Sequence, residues 1–221
     1  MRALVHSPSL IHALWISAET HFLRRDPLRV ATLVAEWLPM ASEFGSQVGV
    51  ANATMMNGWA KVMAGDVEVG LAELRDGLDR WRSTGSKMWG SHRLARAAAA
   101  FIEASHVREG AALLTEAFQV MDSNGERWCE AELLRLQGLL AISTARTAEA
   151  EACFAKAINV ASSQCARLFE LRAAVAMNRL PSDPSERKRR KTLLGSIYGG
   201  FTEGFDTRDL EEARALLDEF A

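Results

Sequence analysis

GLLAISTARTAEAEACFAKA is the stretch, at residues 138–157, that decides the fold. Gly138, Ala150, Phe154 and Ala157 are separated within it by twelve, four and three residues, and the last three share one helical face. Gly and Ala let two helix backbones approach closely, and a bulky side chain such as Phe154 fills the space beside the crossing. The stretch therefore predicts a pair of packed helices, over about 127–144 and 147–163.

The same pattern recurs with a step of forty residues. Three of its positions form columns along the chain: Ala18, Gly58, Ala98, Gly138 and Asn178; Val30, Gly70, Gly110, Ala150 and Arg190; Val34, Leu74, Leu114, Phe154 and Leu194. Gly45, Gly85 and Gly125 keep the same step between units. Further helix pairs are therefore expected at about 9–24 with 27–43, 47–64 with 66–83, 87–104 with 107–123, and 167–180 with 185–198.

This spacing matches the small, small, large and small positions of a tetratricopeptide unit. Such units bury a core only by stacking on their neighbours. We therefore predict an all-α protein, a right-handed α-solenoid of five tetratricopeptide-like helix pairs with a C-terminal capping helix. A single repeat domain is expected over 1–221, with repeats at about 9–45, 46–85, 86–125, 126–165 and 166–205 and the cap at about 208–220.

The fifth pair is the weakest copy of the pattern. Asn178 and Arg190 stand where the other copies have small or apolar residues, and Pro181 and Pro184 shorten its first helix. This pair is expected to fray or bend. The basic run at 187–191 is expected to be a solvated helix face, because the acidic tail that follows balances its charge.

Composition and motifs argue against several classes of function. The formal net charge of -2 gives no general attraction to nucleic acid or to an anionic membrane. Charged and polar residues interrupt the first twenty positions, so we expect neither a signal peptide nor a spanning segment, and a cytoplasmic location. The three cysteines form no C-x-x-C motif, so reduced thiols are expected. The five histidines belong to no H-E-x-x-H or C-x-x-C motif, so no metal site is expected.

Enzymatic motifs are missing too. The sequence has no G-x-x-x-x-G-K-[ST] phosphate loop and no G-x-S-x-G nucleophile elbow. We therefore expect no enzyme activity, no catalytic residues and no cofactor.

Four runs of sequence carry a family resemblance: GERWCEAEL at 125–133, AEAEACF at 148–154, ELRAA at 170–174 and YGGFTEGFDT at 198–207. They resemble the carboxyl-terminal repeat region of large bacterial predicted-ATPase proteins, many of which carry a class III adenylate/guanylate cyclase domain at the amino end. The resemblance implies a fragment of a longer regulator, or a short relative that kept only the interaction module. Gly200 departs from it, since that family usually has Trp there, and so does the Pro-broken segment 177–185.

Arrays of this kind bind partners in a groove lined by the first helix of each pair. On that basis the groove side chains are His12, Trp15, Glu19, Asn52, Met55, Trp59, Met63, His92, Glu132, Arg135 and Arg172. Aromatic, Met and Arg side chains are enriched at binding hot spots, although Trp15 and Trp59 could equally pack between units.

Two functions remain open at this stage. One is a non-catalytic protein- or peptide-binding scaffold, acting as the interaction or regulatory module of a signalling ATPase or nucleotide cyclase. The other is a sensor that binds a small ligand in the groove and regulates such a partner. The apolar residues of 1–16, which include Leu4, Val5, Leu10 and Leu14, further predict self-association through the first pair or continuation from repeats upstream.

Overall fold

The computed structural model describes residues 7–219, and this part of the chain is all-helical, as predicted. Eleven α-helices occur within it: α1 Ser7–Leu23, α2 Pro27–Glu43, α3 Gln47–Met63, α4 Val67–Ser83, α5 Gly90–Glu103, α6 Val107–Asn124, α7 Glu130–Ser143, α8 Thr147–Ser163, α9 Arg167–Asn178, α10 Pro184–Tyr198 and α11 Arg208–Glu219. Their ends lie within three residues of the predicted ones. The largest differences are at α5, which Trp89 precedes in a left-handed conformation, and at α7, which follows a 3-10 turn over Arg127–Cys129.

The chain divides into two compact units, which we call unit 1 (Met1–Ser105) and unit 2 (His106–Ala221). Within the described part of unit 1, each helix from α1 to α5 packs on the next, and α3 also contacts α1 and α5. Unit 2 repeats this scheme from α6 to α11, with α9 in contact with α7, α8, α10 and α11. Each unit thus buries its core between successive helices.

A left-handed residue ends the turn between helices at every twentieth position from 25 to 165. Four of these residues are the glycines Gly45, Gly65, Gly85 and Gly125, and four are the non-glycine residues Arg25, Ser105, Ala145 and Cys165. Positive φ is favourable for Gly and strained for residues with a Cβ atom. The left-handed conformation therefore recurs every twenty residues even at positions where the sequence has no glycine.

The helix crossings confirm the packing that was predicted from small residues. A Cβ atom added to Gly58 would lie 2.6 Å from the carbonyl oxygen of Gly70, so α3 and α4 touch backbone to backbone. At Gly138 the added atom would lie 2.4 Å from the ring of Phe154, which fills the space between α7 and α8. Ala150 and Ala157 are fully buried in the same core.

Arg190 corrects two predictions about the fifth pair. The side chain is only 4% exposed, so the basic run is not a wholly solvated face. Its guanidinium pairs with Glu151 at 2.6 Å and Glu186 at 2.8 Å, and it donates to the Met177 carbonyl at 3.2 Å. The helix α10 is continuous over Pro184–Tyr198, and Arg190 with its charged network stands at the position that Gly70, Gly110 and Ala150 occupy in other pairs.

The terminal helix α11 is held to α9 by charge and by apolar contact. Arg172 of α9 pairs with the buried Asp209 at 2.8 Å, while Leu210 and Ala213 enter the core of unit 2. Gly200 lies just after the end of α10, and Arg167 donates to its carbonyl at 3.0 Å. An added Cβ atom at Gly200 would collide with that guanidinium, so the present arrangement leaves no room there for a Trp.

The predicted apolar face at the amino end is described only from α1 onward. Leu4 and Val5 lie outside the described residues. Leu14 is 8% exposed, so the expectation that it is open to solvent is wrong: it faces the interior of unit 1. Ile16 is 38% exposed and remains on the surface of α1.

Candidate binding cavity

A buried charged cluster joins the first, third and fifth helices of unit 1. The Nε2 atom of His92 lies 2.5 Å from Oε1 of Glu19, and Arg96 donates from Nη1 to the other carboxylate oxygen at 3.0 Å. Nη2 of Arg96 donates to the side-chain carbonyl of Asn52 at 2.5 Å. The cluster therefore ties α1 to α3 and α5. The sequence had assigned Glu19, Asn52 and His92 to a groove, whereas Arg96 was not among the predicted residues.

Burial and charge act in opposite directions on the ionisation of this cluster. Desolvation alone would raise the pKa of Glu19, but the charges of Arg96 and His92 and the hydrogen bond from His92 outweigh it and lower the pKa to about 2. Burial lowers the pKa of the Arg96 guanidinium, and the nearby Glu19 carboxylate opposes that effect. Glu19 therefore stays ionised in the protein interior at neutral pH.

Aromatic rings surround the cluster. Phe22 contacts Trp59 edge to face with the ring centres 4.8 Å apart, and the Arg96 guanidinium lies 5.3 Å from the centre of the Phe22 ring. Trp15 packs against Trp89 at 5.0 Å. The rings shield the buried charges from water, which strengthens the electrostatic attraction within the cluster.

Beside the cluster lies a cavity of about 360 Å³, entirely within unit 1. Its walls are mainly apolar and include Trp15, Trp37, Phe44 and Met88. Phe44 and Met88 are 57% and 48% exposed. A concave apolar site of this volume falls in the lower part of the range for ligand pockets, roughly 300–1,000 Å³.

Polar groups are few in the cavity and come from three helices and two loops. They include His12 of α1, Asn52 of α3, Arg93 of α5 and the serines Ser46 and Ser86. Arg93 is 2% exposed; it donates to the Met88 carbonyl and lies 6.0 Å from the centre of the Trp81 ring. Asn52 belongs to both the cavity wall and the charged cluster, so the two features are continuous.

The predicted groove residues separate into different environments. In unit 1, Glu19, Asn52, Met55, Trp59 and His92 are buried, Met63 is half-buried, and only His12, Trp15 and Asn52 line the cavity. In unit 2, Glu132 and Arg135 pair with each other at 2.7 Å, while Arg172 pairs with Asp209. The structure thus brings six of the eleven together in or around the cluster and cavity of unit 1: His12, Trp15, Glu19, Asn52, Trp59 and His92.

Several cavity residues were missed by the sequence analysis: Trp37, Phe44, Met88 and Arg93. Trp37 lies in α2, the second helix of its pair, and Phe44 lies in the turn after it, whereas the groove prediction considered only the first helix of each pair. A signal for Arg93 was present, because Arg93 and Arg96 interrupt an otherwise alanine-rich helix at a spacing of three residues, which places both on one side.

Two features are absent from residues 7–219. No group of three or more His, Cys, Asp or Glu side chains there is arranged to share a metal ion. Among the same residues, no helix is both long and apolar enough to cross a membrane. The sequence matches none of the protein-family profiles and none of the curated proteins with which it was compared.

Proposed function

We propose that this chain is a non-catalytic binding module for a protein or peptide partner, and that the cavity of unit 1 receives an apolar side chain of that partner. The observation that carries the proposal is the exposure of Phe44 and Met88 on a concave, largely apolar site. Aromatic and Met side chains at a rim, with a pocket beside them, are typical of binding hot spots.

The repeat architecture is part of the same proposal. We infer a right-handed solenoid of five tetratricopeptide-like pairs with α11 as its cap. The forty-residue columns of the sequence, the left-handed turns at twenty-residue intervals and the same order of helix packing inside each unit support this architecture. The resemblance of 125–207 to the repeat region of bacterial ATPase and cyclase regulators supports a cytoplasmic role as the regulatory module of such an enzyme.

The partner is best sought with a displayed library of random peptides, followed by affinity measurements on the selected sequences. Changing Phe44→Ser or Met88→Ser is expected to weaken binding at least about tenfold, since each removes a buried contact worth roughly 1.4 kcal/mol or more. Leu28→Ser is the matched control, because Leu28 is 76% exposed and lies outside the cavity. Equal affinities for all three variants would contradict the assignment of the site.

The proposed lack of catalytic activity is tested separately. Purified chain incubated with ATP or GTP and Mg²⁺ is expected to give no cyclic nucleotide and no released phosphate, because the sequence lacks a phosphate loop. Turnover that is abolished by a substitution in this chain would overturn this part of the proposal.

A second candidate function is a sensor for a small ligand. The specific observation in its favour is Arg93, a charged side chain that is buried in the cavity wall. A thermal-shift screen of small metabolites, run beside the peptide selection, separates the two candidates.

A further inference from the structure

We propose that the cavity of unit 1 binds a neutral molecule that combines an apolar body with a carbonyl group, such as an aryl-alkyl ketone. This inference rests on the second candidate function, the small-ligand sensor, and names the chemical class of its ligand. It is carried by the side-chain amide of Asn52, for whose nitrogen the described residues provide no acceptor.

The orientation of the Asn52 amide is fixed by its neighbour Arg96. Nη2 of Arg96 lies 2.5 Å from Oδ1 of Asn52. A guanidinium can only donate hydrogen bonds, so the amide atom that faces it is the oxygen and the other one is the nitrogen. The oxygen is therefore engaged within the charged cluster, and the two N–H groups of Nδ2 remain as donors.

The amide nitrogen of Asn52 faces the cavity. None of the described residues accepts a hydrogen bond from Nδ2. The residue is only 2% exposed, yet Nδ2 is not one of the inaccessible side-chain atoms that lack a partner. Because Asn52 lines the cavity, the accessible surface of this nitrogen lies in the cavity wall. A buried donor without an acceptor is costly, so a ligand that brings an acceptor oxygen to Nδ2 removes that cost.

Asn52 marks the closed end of the cavity. Among the other polar residues of the wall, His12 is exposed and Ser46 and Ser86 are half-buried, whereas Asn52 is almost fully enclosed. A ligand group that reaches Asn52 is therefore removed from water, while a group beside His12 or the serines stays close to it.

The ligand group at Asn52 is expected to carry no charge. The charges of the neighbouring cluster already compensate one another, because Glu19 pairs with both Arg96 and His92. Arg93 of the cavity wall is likewise engaged by hydrogen bonding. Moving an ion out of water costs far more than one amide hydrogen bond returns, whereas a neutral carbonyl oxygen needs only such a bond. A ketone therefore fits this end of the cavity better than a carboxylate or an ammonium group.

The walls of the cavity suit an aromatic or aliphatic ligand body. Trp15, Trp37 and Phe44 give the wall apolar ring surfaces, and aromatic rings pack on such surfaces by edge or by offset stacking. At about 360 Å³ the cavity has room for one ring and a short chain, and it is small for a folded partner element.

Three compounds of one carbon skeleton test the ligand class on the full chain: the ketone benzylacetone, the hydrocarbon butylbenzene and the amine 4-phenylbutan-2-amine. Calorimetry at neutral pH, where the amine is protonated, gives the three affinities. The ketone is expected to bind at least about tenfold more tightly than the amine, because Nδ2 of Asn52 donates to a carbonyl and cannot accept from an ammonium group. Failure of the ketone to bind, or equal affinity for ketone and amine, would overturn the inference.

Asn52→Asp replaces only the amide nitrogen by an oxygen. The variant keeps an acceptor for Arg96 but offers the ligand a second acceptor in place of the donor. The ratio of ketone affinity to butylbenzene affinity is expected to fall at least about fivefold, and the preference for ketone over amine to reverse. Butylbenzene is the internal reference, because it makes no hydrogen bond. An unchanged ratio in the folded variant would contradict the role of Asn52.

A second measurement needs no substitution at Asn52. In the wild type labelled with nitrogen-15, the side-chain amide protons of Asn52 are expected to shift downfield on addition of benzylacetone and not on addition of butylbenzene. Benzylacetone that binds without this shift would remove the proposed hydrogen bond.

A pair of valine variants locates the site. Val48→Phe fills the cavity and is expected to weaken ketone binding at least about tenfold, since the ring occupies the space of the ligand. Val69→Phe makes the same change on an exposed part of α4 and is expected to leave binding unchanged. Equal affinities of the two variants for benzylacetone would contradict the location.

The outcomes distinguish this inference from both candidate functions. If peptides bind through Phe44 and Met88 and benzylacetone does not bind, the peptide proposal stands, and the sensor and the carbonyl site are both overturned. If benzylacetone binds with the same ratio to butylbenzene in the wild type and in Asn52→Asp, the sensor stands and the carbonyl site is overturned. If the ratio falls as expected, the carbonyl site is supported.

Discussion

At the scale of single residues, Glu19 shows how a charge is kept inside this protein. Its carboxylate receives hydrogen bonds from two side chains of α5, and both partners are as buried as Glu19 itself. Removing one member of such a group leaves the others buried without compensation, at a cost of roughly 3–5 kcal/mol. The cluster is therefore a point at which unit 1 is sensitive to both mutation and pH.

Acidification is expected to destabilise the protein less in Glu19→Gln than in the wild type. The folded pKa of about 2 is below the ordinary value of 4.5, so this stabilisation is complete above pH 4.5 and is lost as the pH falls toward 2. The difference between the folded and ordinary pKa of Glu19 corresponds to about 3 kcal/mol of folding free energy. About 2 kcal/mol of this stabilisation is lost by pH 3.

Urea unfolding at pH 7 and pH 3, followed by tryptophan fluorescence, checks this difference. Five of the six tryptophans, Trp15, Trp37, Trp59, Trp81 and Trp89, lie in unit 1, so the signal reports mainly on that unit. An equal loss of stability on acidification in wild type and variant would contradict the role of Glu19.

Ala145→Gly is expected to stabilise the protein. Ala145 has a φ of 58°, in the left-handed region where a Cβ atom costs about 1 kcal/mol relative to Gly. Ala152→Gly is the control, because Ala152 is exposed within α8 and the same change there costs about 1 kcal/mol. Thermal midpoints are expected to move in opposite directions, and a lower midpoint for Ala145→Gly would contradict the strain at this turn.

Residue-level roles were only partly predictable from the sequence. The helical period placed Glu19, Asn52 and His92 on inward faces, but it could not show that they contact one another, because that depends on how closely α1, α3 and α5 approach. The basic run that contains Arg190 was predicted to be a solvated helix face balanced by the acidic tail, whereas Glu151 and Glu186 hold Arg190 in the interior. Whether such a charged side chain is buried or exposed depends on its partners in other helices.

At the scale of secondary-structure elements, close crossings hold neighbouring helices together. The sequence predicted them well, because small residues at fixed spacing have a direct steric meaning. The start of α5 was less predictable, since Trp89 adopts the left-handed conformation, which is rare for a bulky residue. The ring of Trp89 contacts Trp15 and His92. Local sequence could not predict these contacts, because they depend on how α1 and α5 pack.

Ala150→Leu and Ala157→Leu are expected to destabilise the fold by about 1–3 kcal/mol each, because both positions are fully buried where α7, α8 and α9 pack. Ala148→Leu, on the exposed side of the first turn of α8, is expected to have little effect. Thermal midpoints of the three variants decide the matter. Equal shifts would mean that the register of the repeat is wrong.

Arg190→Ala is expected to weaken the attachment of α10 to α8 and α9, with a loss of roughly 1–3 kcal/mol, since it removes the charged donor to the partly exposed Glu151 and to the carbonyl groups of Met177 and Leu180. Arg187→Ala is the matched control, because Arg187 is exposed on the same helix. Amide hydrogen exchange of α10 measures the effect, and similar protection in both variants would contradict it.

At the scale of the whole molecule, the sequence predicted the all-helical class and the helix positions but not the cavity. The cavity arises where side chains of α1, α2, α3, α5 and the turns beside them leave space, and no spacing rule describes such a space. Self-association through the first pair stays a prediction. Ile16, rather than the buried Leu14, is the residue through which the structure allows it to be tested.

Light scattering over a series of concentrations is expected to show oligomers of the wild type that Ile16→Glu weakens. Val69→Glu introduces the same charge at an exposed position of α4 and is expected to have less effect, because α4 lies outside the first helix pair. A wild type that remains monomeric at the highest concentration would remove the prediction.

The left-handed turns at every twentieth residue also limit how such a chain can change in length. Each turn reverses the direction of the chain, so inserting or deleting forty residues returns every later helix to its former orientation and partner face. A change of twenty residues would instead reverse the direction of every later helix, so that small residues such as Gly138 would no longer face their large partners such as Phe154. Duplication and loss of segments in the gene are therefore expected to be tolerated in steps of two helices and rejected in steps of one.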